Sequence, residues 1–449
     1  MANVQSDVVV IGGSAAGLTA AITAHRHYPK KKVTLVRTEK QVPIPCGIPY
    51  VFGTVGSPEK NLIPDAVLEK NQIDLLLGEV VGIDKEGKTL KLGNGDEIAY
   101  DRLIVATGSL PAMPPIPGFD KPNVWAIRKD VPLLHELQEK LKDVNDLVIV
   151  GGGFIGVEFA DECKKAGVKN VTIVELLPHC LMLSFDEEFA EEAEKVLADR
   201  GVQLRTGVKV MEFVGADKAE KVKLSTGEEL PADAVIMGIG AVANIKMAKE
   251  SGLNMGPTGA IEVNNYMTTS DPNIFACGDC AEKISFFGGR PSPLKLASIA
   301  SSEARIAGSN LYGVKRENIG TIGVWGTAIG DFALSCAGLT EAMAKKSGYD
   351  YVVGVGEGPN RHPGGMPGAE NIKVKMIFER RTGVLLGTQM MGGKVVGELI
   401  NAISVCIQKK MTFDDIATFQ IGTHPAMTAS PIAYQIVNAA EMAQMKTSM

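Results

Sequence analysis

One stretch limits what this chain can fold into more than any other. Asp146 to Val150 reads as an apolar strand and runs straight into Gly151-Gly-Gly-Phe-Ile-Gly156-Val-Glu158, which opens a helix. The next apolar strand, Val171 to Val174, ends at Glu175, 19 residues past Gly156. Strand, glycine turn, helix, strand and terminal acid in this order predict a βαβ nucleotide-binding unit. The first glycine makes the turn, the second admits a pyrophosphate against the backbone, and the third lets the helix close on the strand. The helix N-terminus then offers unpaired N–H groups to phosphate. Gly151, Gly153, Phe154, Ile155, Gly156, Glu158 and Glu175 are the candidate contacts, with Gly240 at the end of a further apolar strand, Ala232 to Gly240. Glu175 suits ribose hydroxyls and repels a 2′-phosphate, and Leu176 and Leu177 supply no arginine for one. The expected ligand is therefore NADH rather than NADPH.

A second unit of this kind starts the chain. Ser6 to Ile11 is a strand, Gly12-Gly-Ser14-Ala15-Ala16-Gly17 a turn, and an Ala-rich helix follows to about His25. Ser14 replaces the second glycine, so the match is partial. After the next strand, Lys32 to Val36, Arg37 stands where an acid is expected, with Glu39 two residues on. Either the register is shifted or the ribose is held differently.

About thirty residues beyond that turn lies Pro43-Ile-Pro-Cys46-Gly-Ile-Pro-Tyr50. The prolines restrain the backbone, and Gly47 is expected to leave room beside the sulfur. Cys46 is either a buried structural cysteine in a turn or a thiol held for redox chemistry. The seven cysteines are odd in number and scattered, which is no disulfide framework and suits a reducing, cytoplasmic compartment. Cys277 and Cys280 form a lone CxxC without a second pair or nearby histidine, half a zinc site at most, so no metal is expected.

A net charge of −6 argues against a nucleic-acid surface, and no apolar run reaches membrane-spanning length. Tyr100 to Gly108 reads as a strand ending in Ala106-Thr107-Gly108, and the prolines at 111, 114, 115 and 117 mark a crossover. A strand ending on Gly278-Asp279 precedes a helical segment, Leu294 to Leu311. From about Ile319, strands and one helix, Lys394 to Lys409, alternate without a phosphate loop. A rigid turn, Gly422-Thr-His424-Pro-Ala-Met-Thr428-Ala-Ser-Pro431, comes last.

Taken together, the two glycine turns, Ala106-Thr107-Gly108, Gly278-Asp279, and Gly326-Thr-Ala-Ile with Ala337-Gly-Leu-Thr resemble the FAD-dependent pyridine nucleotide-disulfide oxidoreductases over essentially the whole chain. The resemblance implies an α/β fold of two nested Rossmann-like domains and a C-terminal α+β dimerisation domain. Residues 1–112 and 245–318 would bind FAD, 113–244 NAD(H), and 319–449 would form a homodimer. It implies FAD contacts at Gly12, Ser14, Ala15, Ala16, Gly17, Glu39, Ala106, Thr107, Gly108, Gly278, Asp279 and Ala297. Val51 stands where the family's paired-cysteine branch has its second cysteine, so Cys46 resembles the lone redox thiol of coenzyme A-disulfide reductases, polysulfide reductases and NADH oxidases. A helix beginning near Cys46 would help to stabilise its thiolate.

Finer motifs divide that branch. The first glycine turn lacks the histidine of peroxide- and oxygen-reducing relatives. Gly365-Met-Pro-Gly-Ala369 lacks the tyrosines of a coenzyme A site. The Thr423-His424-Pro425 turn resembles that of the paired-cysteine branch, whose histidine is an acid/base reaching the other subunit, although Ala429 replaces its glutamate partner. His424 is either that acid/base or an interface residue, with His362 and Tyr434 as weaker proton donors. The expected activity is NADH-dependent, FAD-mediated reduction of a disulfide, polysulfide or persulfide through Cys46. The alternatives are an NADH oxidase reducing oxygen at the flavin and an electron-transfer flavoprotein serving a protein partner.

Overall fold

Val8, Val9 and Val10 are fully buried and form the middle of the strand Asn3–Ile11. β-Branched residues covered on both faces are what a parallel sheet requires. The computed structural model describes residues 3–447. The chain separates into two units. The first takes the chain up to Pro115, Trp125–Asp143 and Ile239–Thr321; the second takes Ile116–Val124, Val144–Gly238 and the chain from Ile322 onward.

In the first unit, Asp74–Leu77, Val33–Arg37, Asn3–Ile11 and Glu97–Val105 lie side by side in parallel. Glu97–Val105 pairs antiparallel with Thr89–Leu92 along its first half and parallel with Ile274–Ala276 along its second. The helices Ala15–His27 and Ala297–Asn310 pack on each other, with Gly308 lying against Ala20, Thr23 and Ala24. A Cβ on Gly308 would stand 2.7 Å from the Ala20 carbonyl oxygen, so only glycine allows this approach.

The second unit holds a parallel sheet in the order Ala234–Met237, Asp146–Val150, Asn170–Val174, Val202–Arg205. It also holds an antiparallel sheet in the order Val324–Ile329, Phe332–Gly338, Leu385–Gly392, Asn371–Glu379, Tyr351–Pro359. The mixed α/β class is as expected. The C-terminal part differs from expectation in carrying, besides Val396–Gln408, a further long helix, Gln435–Met445. Its signal was present as Ile436, Ala439, Ala440 and Ala443, a buried face at helical spacing. Its seat is the strand Tyr351–Pro359, where Gly354 and Gly356 face it. A Cβ on either would stand 1.8 Å from the Ala439 carbonyl oxygen or 2.1 Å from that of Gln435. Among the described residues no helix is long and apolar enough to cross a membrane.

Gly354→Val should lift this helix off the sheet. Urea denaturation should show a loss of about 1–3 kcal/mol, the usual cost of overpacking, whereas Val355→Ala on the half-exposed face should cost under about 1 kcal/mol.

Candidate functional site

In the first unit the Gly12–Gly17 turn is made by close backbone approach. Gly12 has φ +115°, and a Cβ there would meet the Ala106 carbonyl at 2.2 Å; a Cβ on Gly17 would meet the Gly12 carbonyl at 1.8 Å. The helix Ala15–His27 starts at Ser14, whose side chain makes no capping bond, so the first N–H groups keep their capacity for an anion. The helix Ala297–Asn310 likewise starts without a side-chain cap. Ala106, Thr107 and Gly108 follow the strand Glu97–Val105, and Thr107 Oγ1 donates to the Asn244 carbonyl at 2.7 Å.

Arg37 is the last residue of Val33–Arg37 and pairs with Leu77, so the register is not shifted. Gly12 N donates to Val36 O as Gly151 N donates to Val174 O, both at 2.8 Å, which makes Arg37 the counterpart of Glu175. The Arg37 guanidinium, 2% exposed, donates to Glu39 O, Lys40 O and Asp65, and its stem fills the space beside Gly13. The Glu39 side chain is exposed.

Gly278, with φ +79°, packs on Ala16, and Asp279 accepts a 2.7 Å bond from Ser109 Oγ with Lys129 Nζ at 3.8 Å. Beneath this turn lies a buried ion pair. Glu303 accepts from Gly278 N at 2.9 Å and from Lys283 Nζ at 3.2 Å, and Lys283 also donates to Gly278 O at 2.7 Å. Burial pushes the Glu303 carboxyl up, opposed by Lys283. Sequence reading missed Ser109, Lys129, Lys283 and Glu303. Only Glu303 had a signal, a lone carboxylate in the Ala300, Ala304, Ala307 stripe.

Cys46 is exposed, so the reading as a buried structural cysteine does not hold. Cys46 lies in the first of two short 3-10 turns, Pro45–Gly47 and Pro49–Val51, and not at the start of a longer helix, because Pro49 lacks the N–H that would continue one. On the side where a Cβ of Gly47 would stand lies the Asn61 carboxamide, its Oδ1 2.0 Å from that position. All seven cysteines are thiols. Burial pushes the other six up, Cys163 to about 12, and leaves them poor nucleophiles. Cys277 and Cys280 are fully buried. The segment after Cys46 is held by Gln138 Nε2, which donates to Val51 O and Gly56 O at 3.1 Å each.

In the second unit a Cβ on Gly156 would stand 1.9 Å from Gly151 O, and the helix Phe154–Lys165 starts at Gly153 without any capping side chain. Phe154 packs edge-on to Phe185, and Ile155 is exposed. Glu175 accepts from Gly152 N and, at 2.7 Å, from Leu177 N, which aims its carboxylate at the turn. Glu158 accepts a 3.0 Å bond from Thr327 Oγ1, yet burial lifts its pKa to about 7, with Glu162 adding to the rise. Gly240 belongs to the first unit, with φ +99° and its carbonyl accepting from Ala112 N.

His424 is exposed, and its Nδ1 accepts from Ala426 N at 3.2 Å. The structure brings His362 to the same loop: its N donates to Pro425 O, and its Nδ1 bonds Thr428 O at 3.0 Å. Tyr434 is half-buried, and burial pushes its hydroxyl up. The uncapped helix starts, the glycine cradles and the Glu175 carboxylate fit two dinucleotides, one in each unit.

Because Glu158 is raised in the folded state, its proton is favoured there, and stability falls as pH rises from about 4.5 through about 7. Glu158→Gln keeps the Thr327 bond and removes the titration. On raising pH from 5 to 8, wild type should lose on the order of 3 kcal/mol more than Glu158→Gln in urea denaturation.

Residues 6–304 match the pyridine nucleotide-disulphide oxidoreductase family, and residues 324–432 match its dimerisation domain. The chain is 33% identical over 426 residues to an NADH oxidase of Enterococcus faecalis, covering 91% of this chain and 93% of the relative. It is 34% identical over 424 residues to a NAD(P)H coenzyme A polysulfide/persulfide reductase of Pyrococcus horikoshii, covering 93% and 94%. The solved structure of a NAD-dependent persulfide reductase from A. fulgidus matches with a TM-score of 0.91 and 32% identity, over 98% of this chain and 84% of that one. With two glycine cradles on parallel sheets and family matches along most of its length, the chain belongs to the pyridine nucleotide-disulphide oxidoreductases and is an NAD(P)H-dependent flavoprotein oxidoreductase.

Proposed function

We propose that the chain is an NADH-dependent reductase of a disulfide, polysulfide or persulfide, with Cys46 as its redox thiol. FAD sits on the first unit's cradle and NADH on the second's. The observation that carries this reading is the contrast among the thiols: Cys46 is exposed, whereas burial raises the other six. Bound FAD supplies the two-electron relay between the nicotinamide and sulfur.

The chain's own residues do the rest. The Cys46 thiolate attacks one sulfur of the substrate, forming a mixed disulfide and expelling the other sulfur as a thiolate. Val51 stands where a second cysteine would resolve that bond, so two electrons originating in NADH must cleave it and return both thiolates. His424 accepts at Nδ1, which in the neutral ring leaves the proton on Nε2, ready for a departing thiolate across a homodimer. The match to the dimerisation domain supports that assembly. Glu158 lies near the nicotinamide in this reading. The scattered thiols suit a reducing, cytoplasmic compartment. The similarity to an NADH oxidase supports a second reading, direct oxygen reduction at the flavin.

Anaerobic NADH consumption by Cys46→Ser separates the two. Turnover with polysulfide or coenzyme A disulfide should fall by at least about a hundredfold, while a neutral dye is still reduced. A variant matching wild type with every acceptor would instead favour the oxidase. Replacing Glu175 by Ala together with Leu176→Arg should move the NADPH:NADH ratio of kcat/KM upward by about tenfold or more.

A further inference from the structure

The thiol turn is held from behind by one side chain outside every motif. Asn61 is 5% exposed. A buried carboxamide is costly unless it is bonded, and this one donates from Nδ2 to the Ile44 carbonyl at 2.9 Å. The two backbones are also joined, Ile44 N donating to Asn61 O at 2.8 Å. The same Ile44 carbonyl accepts from Gly47 N at 3.0 Å, the bond that closes the turn around Pro45 and Cys46. Asn61 thus anchors the atom on which the turn closes. The short antiparallel pair Val42–Pro43 with Leu62–Ile63 keeps the two segments in register.

Gly47 shows how tight the fit is. It lies in a 3-10 turn and is absent from the positive-φ residues, so its backbone suits any side chain. A Cβ there, however, would stand 2.0 Å from Asn61 Oδ1 and 2.8 Å from its Cγ. The neighbour of the thiol is glycine because Asn61 occupies the space.

We propose that Asn61 is a positioning residue that sets the place of the Cys46 thiol, through the Ile44 carbonyl and its contact with Gly47. For catalysis this rests on the reading of Cys46 as the redox thiol; for geometry it does not.

A double-mutant cycle on the holoenzyme tests it, read by polysulfide turnover and by the rate of Cys46 alkylation with iodoacetamide, resolved by peptide mass spectrometry. Gly47→Ala should lower turnover by about ten- to a hundredfold, as displacement by about an ångström does, with the KM for NADH and the flavin content unchanged. Asn61→Ala should lose less. In the Asn61→Ala background, adding Gly47→Ala should cost nothing more, because the methyl enters the vacated space. The alkylation rate should follow the same pattern. Additive losses, or wild-type behaviour of Asn61→Ala in both readouts, would overturn the proposal. Should Gly47→Ala not fold, Asn61→Leu, which fills the volume without the donor, carries the test: an alkylation rate changed about threefold or more supports the proposal and a wild-type rate overturns it. If Cys46→Ser loses nothing with any acceptor, the reading of the thiol fails, and the alkylation cycle still decides whether Asn61 places it.

Discussion

Two backbone carbonyls, those of Gly12 and Gly151, lie less than 2 Å from where a Cβ on Gly17 and Gly156 would stand. Everything chemical in this protein depends on that closeness. It lets each helix begin on top of its strand, and it leaves the first N–H groups uncapped at a point where phosphate can approach. Glycine is required there because any side chain would push the helix off the strand and dissolve the cradle. The same logic recurs elsewhere: Gly308 admits the Ala20 carbonyl, Gly354 and Gly356 admit the C-terminal helix, and Gly47 admits the Asn61 carboxamide. Close approach, not backbone freedom, explains these four.

Burial then decides which groups can react. Seven thiols share one chemistry, yet six are pushed up by burial and one is exposed. Glu158 has an ordinary carboxyl, but a dry setting carries it to about 7. Glu303 and Lys283 meet 2% exposed, with Glu303 Oε2 accepting from Lys283 Nζ and Gly278 N and Lys283 also donating to Gly278 O. That pair holds the backbone of Gly278, next to Asp279, so a structural ion pair stands directly behind the turn.

Much of this was legible beforehand. Both nucleotide folds follow from strand, glycine turn and helix in sequence, because these signals are local and their spacing is imposed by one βαβ geometry. Cys46 was picked out by its prolines and by the absence of a partner at Val51. The parts that were not legible depend on residues far apart in the chain. Asn61 meets Ile44 and Gly47, Glu303 meets Lys283 and Gly278, and His362 meets Thr428, in each case through a fold that no window of sequence contains. That Cys46 lies in a short 3-10 turn rather than at the start of a helix has a local reason: Pro49, one turn on, lacks the N–H a helix needs there.

The sequence alone determined the class of fold and the two glycine cradles, and it singled out Glu175 and Cys46 as candidates, because each rests on short-range periodicity or on residue chemistry at a set spacing. Tertiary structure decided the rest. It showed Arg37 in the place of the ribose acid, neutralised by Asp65 and bonded to Glu39 O and Lys40 O. It showed Cys46 exposed and the other thiols shielded, and it filled the space at Gly47 with Asn61. Exposure and side-chain contact are properties of the folded chain, since both are set by segments brought together only when the sheets and helices pack.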